Sequence, residues 1–163
     1  MQNIYGDLFG DSGAKFSACR MYRYSLWRRW GTGPAVMFVG LNPSTADESA
    51  DDPTIRRCVR FARDWGFDGL FMVNLFAYRA TQPADMLSVD DAVGPENDEW
   101  LVRIGAEAGL VVAAWGNHGA HQSRDKAVRR MFPNINHLGL TAIGQPRHPL
   151  YLRSDELPTL WVG

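Results

Sequence analysis

Three stretches of the chain are apolar without interruption at strand length: 35–40, 69–73 and 110–115. Continuous runs of this kind predict strands covered on both faces of a sheet. A fourth, shorter run covers 135–140. Helical spacing fills the gaps between them. Asp52-Pro53 supplies an N-cap and a first-turn proline, and after it Ile55, Cys58, Val59, Ala62 and Trp65 share one face while Arg56, Arg60 and Arg63 share the other. Gly94-Pro95 opens a second helix, with Glu96, Asp98 and Glu99 in its first turns, the end that favours acids. Its apolar stripe is Trp100, Leu101, Ile104 and Ala108. A third helix is predicted over 121–131, ending before Pro133. Ahead of all these, 21–27 alternates and then turns at 31–34, which predicts an antiparallel strand beside the first core strand, with a short helix as the alternative. Residues 1–15, rich in Gly and Asp, are expected to be loosely held.

Strands alternating with helices predict a parallel sheet with right-handed crossovers. The expected fold is a three-layer α/β/α arrangement around a central, mainly parallel four-stranded sheet, with an extra antiparallel strand near the N-terminus. No repeat or linker interrupts the 163 residues, so one domain over 1–163 is expected.

Composition narrows the function classes. At 45% hydrophobic and 21% charged residues the chain is globular in character. No apolar run approaches the roughly 20 residues that span a bilayer, and no basic start leads into an apolar stretch at the N-terminus, so a cytoplasmic protein is the expectation. Two cysteines, Cys19 and Cys58, are too few for a disulfide framework or a cysteine zinc site. Net charge is −1, but 82–109 holds seven acids and one base, which leaves 16 bases against 11 acids elsewhere. Of the 17 bases, 15 are arginine. Arginine forks onto phosphates and stacks on rings; a compositional bias of the genome produces the same count.

Open α/β sheets bind ligands beyond the carboxyl ends of their strands. After the first strand come Gly40, Leu41, Asn42, Pro43 and Ser44; after the second, Asn74, Tyr78 and Arg79; after the third, Trp115, Gly116, Asn117 and His118; after the fourth, Arg147, His148, Leu150 and Tyr151. Converging on one edge, these amides, imidazoles, rings and close-approach glycines would form a pocket for a flat polar heterocycle attached to an anionic group. Taken singly each has a plainer reading: Asn42-Pro43-Ser44 is also a turn, Asn74 also ends a strand, and His148 is also a loop histidine. No Walker A loop, no G-x-G-x-x-G and no G-x-S-x-G is present, so no cofactor is expected. His118 and His121 have helical metal spacing but no third ligand, and no metal site is expected. Asp47, Glu48, Asp51 and Asp52 read as a Mg²⁺ cluster or a solvated helix entry. The arginine stripe of Arg56, Arg60 and Arg63 reads as a solvated face or as phosphate contacts.

Gly40-Leu41-Asn42-Pro43 resembles the first motif of the uracil-DNA glycosylase superfamily, G-Q-D-P-Y-H in one branch and G-I-N-P-G in the mismatch-specific branch. The strand ending Trp115-Gly116-Asn117-His118 resembles the W-G-x-x-A strand of those enzymes, His148-Pro149-Leu150 a shortened H-P-S-P-L, and Asn74 the base-reading asparagine. More closely, the chain resembles a bacterial and phage family of unknown function through Gly40-Leu41-Asn42-Pro43-Ser44-Thr45-Ala46-Asp47, Asp52-Pro53-Thr54-Ile55-Arg56-Arg57, Val73-Asn74-Leu75-Phe76-Ala77-Tyr78-Arg79 and His148-Pro149-Leu150-Tyr151-Leu152. The superfamily resemblance implies a flipped nucleotide, with Asn42 positioning water, Asn74 pairing with the base, His148 stabilising developing charge, and Leu150 or Tyr151 as a wedge. Arg56, Arg57 and Arg147 would contact nucleic acid. Asn42 stands where one branch has a carboxylate, Ser44-Thr45 replace Tyr-His, and the motif's serine is missing. Asp47, Asp51 or Asp52 would supply a carboxylate if the loop folds back.

Three functions fit these residues: hydrolysis of an N-glycosidic bond of a base in DNA, an enzyme or binder acting on a free nucleotide or nucleoside, and a non-catalytic module recognising nucleic acid or a partner. Nucleic acid or a nucleotide is the expected ligand, and no membrane is.

Overall fold

The structure, a computed structural model, describes residues 11–163. Seven strands make one mixed sheet in the order β1-β2-β4-β3-β5-β6-β7: β1 Ser12–Phe16, β2 Arg23–Arg29, β3 Ala35–Gly40, β4 Gly69–Asn74, β5 Leu110–Ala113, β6 Asn136–His137 and β7 Thr159–Leu160. The pairs β3–β4, β3–β5 and β5–β6 are parallel; β1–β2, β2–β4 and β6–β7 are antiparallel. The sheet is therefore wider and more mixed than the mainly parallel four-stranded sheet expected.

The three apolar runs form β3, β4 and β5 because their side chains are buried on both faces. Val36 and Phe38 pack with α1 (Pro53–Asp64) through Ile55, Cys58, Phe61 and Ala62. Met37 and Val39 point to the other face, against Leu101 and Ile104 of α3 (Asn97–Glu107) and Val128 of α4 (Arg124–Met131). A short α2, Pro83–Leu87, precedes α3. Each buried aliphatic side chain contributes about 1.5–3 kcal/mol by leaving water. The helix α1 starts as its sequence dictates: Asp52 accepts a hydrogen bond from Ile55 N–H at 2.9 Å, and Pro53 needs no partner at that position.

Four expectations change. The alternating segment is a strand, but β2 pairs with β4 rather than β3; both edges of β3 are already taken, by β4 and β5. Residues 12–15, expected to be loose, belong to β1, while the part of that expectation covering 1–10 lies outside the described residues. The strand over 135–140 shrinks to Asn136–His137, because Gly139 turns the chain at φ +100° and donates its N–H to His137 Nδ1. The helix over 121–131 begins only at Arg124: Gln122 and Ser123 adopt φ +55°, so a short 3₁₀ segment, Asn117–Ser123, ends there and α4 starts afresh.

Strand register sets where the loops leave the sheet. Gly40 lies opposite Asn74, Val39 opposite Ala113, and Ala113 opposite His137. The carboxyl ends of β3, β4, β5 and β6 are thus nearly level, and the segments after them leave from one edge. The chain runs from β3 to β4 on one side and then to β5 on the other, so the edge above β3 is a topological switch point.

Candidate functional site

A cavity of about 560 Å³ opens at that edge, between the segment joining β3 to α1, the end of β4, the end of β5 and the 148–151 turn. Its size is that of a small-molecule site. Gly40 allows the close approach at its floor: a Cβ there would lie 2.8 Å from Met72 Cε and 3.0 Å from Asn74 Nδ2.

Two of the three cavity asparagines, Asn42 and Asn74, are held differently. Asn42 Nδ2 donates to the carbonyls of Ala80 at 2.9 Å and Pro43 at 3.2 Å, and Ala80 N–H donates back to Pro43 O. These bonds fasten the β3–α1 segment to the chain after β4 and leave Asn42 Oδ1 as an acceptor. Asn74 is buried, and its Oδ1 accepts from Arg23 Nη2 at 3.5 Å, which leaves its Nδ2 as a donor. One asparagine offers an acceptor and the other a donor, a pairing suited to the edge of a nucleobase.

His148 lines the same cavity. Leu150 N–H donates to its Nδ1 at 3.2 Å. A ring nitrogen that accepts carries no proton, so the imidazole is the neutral tautomer with hydrogen on Nε2. Burial lowers its pKa below the ordinary value, and Asp52 opposes that shift. Among the lining residues Asp52 is the single carboxylate. Asp51 is engaged by Arg28 at 2.8 Å, and Asp47 Oδ1 accepts from the N–H groups of Ser49 and Ala50.

Trp115 forms a wall and is fixed from behind. Its Nε1–H donates to Gln145 Oε1 at 2.8 Å, and Gln145 Nε2 donates to Asp125 Oδ2 at 2.9 Å. Gly116, at φ +74°, then turns the chain, with its N–H bonded to Pro146 O, and Thr141 Oγ1 donates to Asn117 Oδ1 at 2.6 Å.

A family model described as Protein of unknown function (DUF1643) matches residues 23–150. The chain belongs to DUF1643. No curated protein and no solved structure matches it, so the resemblance to uracil-DNA glycosylases rests on its short motifs. The matched DUF1643 span runs from Arg23 to Leu150 and takes in every cavity residue except Tyr151.

The DUF1643 fold brings together Gly40, Leu41, Asn42, Pro43, Ser44, Asn74, Trp115, Gly116, Asn117, His118, His148, Leu150 and Tyr151 around the cavity. It places others elsewhere. Tyr78 packs edge-on against Tyr22, and Arg79 donates to Arg20 O and lies over the Phe16 ring. Both follow the chain's return toward β1 and β2, away from the cavity. Arg57 is turned to Leu152 O and the Phe61 ring and does not line the cavity. Arg56 and Arg147 are exposed outside the cavity, bonded to Asp51 O and Tyr151 O. Leu150 and Tyr151 also line the cavity and are 44% and 77% exposed.

Sequence reasoning missed Arg23. It lies in β2, is 2% exposed and lines the cavity. Its only sequence signal is a cation inside an alternating strand. Among the described residues, no three His, Cys, Asp or Glu gather as a metal site, and no helix is long and apolar enough to cross a membrane. A second, more open hollow of about 480 Å³ lies between α4 and the 161–163 segment and contains none of the predicted site residues.

Proposed function

We propose that this DUF1643 protein hydrolyses the N-glycosidic bond of a base in DNA, the base being turned out of the stack into the cavity. The observation that carries the reading is His148: a neutral imidazole with its proton on Nε2, on the same cavity as the acceptor of Asn42, the donor of Asn74 and the carboxylate of Asp52. Four parallel-paired strands in the order β4-β3-β5-β6 beneath it are compatible with a glycosylase-like arrangement.

In the step proposed, the bond from the sugar C1′ to the base nitrogen breaks and its electron pair leaves with the base. His148 Nε2–H donates to the base as negative charge develops on it, an interaction that strengthens toward the transition state. Asn42 Oδ1 accepts from a water beside C1′. The water oxygen then bonds to C1′, and Asp52 takes the released proton. Asn42 alone cannot take it, because an amide is not a base at neutral pH. Asn74 reads the base edge.

Base release from oligonucleotides carrying uracil, hypoxanthine, mismatched thymine and modified bases tests this, with free nucleosides alongside. Release that falls about 100-fold or more in His148→Ala supports the reading. Binding to DNA should weaken as salt rises, with a slope set by phosphate contacts.

A further inference from the structure

Arg23 is an unusual residue to bury. The four ion pairs among the described residues, Arg20–Glu48, Arg28–Asp51, Arg124–Asp98 and Arg153–Asp155, do not include it. Among the described residues its guanidinium donates only to Ala46 O at 3.1 Å and, at 3.5 Å, to Asn74 Oδ1. Its Nε–H is buried without a partner. A buried cation left without an anion is strongly unfavourable unless something completes it. Burial pulls its pKa down to about 10, and the nearby charges of Arg79 and Arg28 add to the shift while Asp52 opposes it. Asp52 is not within ion-pair distance, and one of its oxygens is committed to Ile55 N–H.

The first turn of α1, Pro53, Thr54 and Ile55, also lines the cavity, and its N-terminus is already capped by Asp52, so Arg23 is the group left to receive a further anion.

We infer that Arg23 receives an oxyanion carried by the ligand, a carboxylate or a phosphate, so that the cavity takes a charged nucleobase or a mononucleotide in preference to a neutral base. A planar guanidinium with free N–H groups matches the paired oxygens of either group. The inference rests on the reading of the cavity as the nucleobase site, and not on the hydrolytic step.

Binding of matched pairs tests it by calorimetry at fixed ionic strength: 5-carboxyuracil against uracil, and uridine 5′-monophosphate against uridine. The expected result is at least tenfold tighter binding of one charged member. The pair that shows it tells carboxylate from phosphate. Arg23→Gln should abolish the difference, and Arg23→Lys, which keeps the charge but not the fork, should reduce it. Should Arg23→Gln fail to fold, the wild-type pairs and Arg23→Lys still decide. Equal binding within both pairs overturns the inference, as does a charged preference that survives in folded Arg23→Gln. A charged preference without base release from any nucleotide keeps the anion site and overturns the hydrolytic reading. Base release from neutral substrates together with equal binding within both pairs does the reverse.

Discussion

Leu150 N–H donates to His148 Nδ1 across a single intervening residue, Pro149, at 3.2 Å. The proline helps to set this geometry: it fixes its own φ and starts the short turn Pro149–Tyr151. One backbone bond thus selects the imidazole tautomer and directs its remaining proton. Burial acts the same way by disfavouring the charged ring.

The first prediction concerns pH. His148 titrates below the ordinary histidine value, so it is neutral at pH 7 and charges only on acidification. The unfolded chain binds this proton at a higher pH than the folded one. Its contribution to stability is therefore present above the unfolded value and lost as pH falls through the folded value. Base release should decline in that same acidic range. NMR titration of the His148 ring should give a pKa under 6.5; a value above that would remove the neutral donor.

Asp52 has two roles that one substitution separates. Its side chain caps α1, and it is the cavity's carboxylate. Asparagine caps a helix as well as aspartate does. Asp52→Asn should therefore hold stability within about 0.5 kcal/mol, whereas Asp52→Ala should lose about 1 kcal/mol. If Asp52 takes the proton, base release falls about 100-fold in both. Denaturant melts and release rates measured on both variants check this, and full activity in Asp52→Asn would leave it with the cap alone.

Gly40→Ala tests the cavity floor. The added methyl meets Met72 Cε, the flexible end of a side chain that can move aside, and Asn74 Nδ2, the proposed base contact. Stability should fall by about 1–3 kcal/mol, and ligand affinity about tenfold, since one displaced hydrogen bond accounts for about 1.5 kcal/mol. Thermal melts and calorimetry on one preparation give both numbers.

Gln145 holds the Trp115 wall. Gln145→Leu leaves the Trp115 Nε1–H and Asp125 Oδ2 without their partner. Each buried group left unsatisfied costs about 1–3 kcal/mol, so urea unfolding should show a loss of that order. Tryptophan emission should shift as Trp115 loosens.

Much of this fold is readable along the chain. Strands β3, β4 and β5 are legible because burial on both faces leaves almost no polar position, and Asp52-Pro53 marks the start of α1 by its chemistry. Strands β6 and β7 have two residues each, too few to show any period. The break before α4 falls on Gln122 and Ser123, residue types that give no warning of a positive φ. The cavity lining is legible where loops leave core strands, as with Asn42 and Asn74. Tyr78 and Arg79 mislead, since a loop's direction after its first turn is set by long-range contacts: Tyr78 N–H bonds Ala92 O, and Arg79 N–H bonds Met21 O. Arg23 is hidden for a similar reason. Its burial depends on β2 lying against β4 and on Ala46 folding over it, which no local pattern encodes.

Single-turnover base release from the oligonucleotide panel, by wild type, His148→Ala and Asp52→Asn, tests the central claim most directly. Release of one base by the wild type is predicted, with a loss of about 100-fold or more in each variant. No release from any substrate by folded wild-type protein, or equal release by all three, would contradict it.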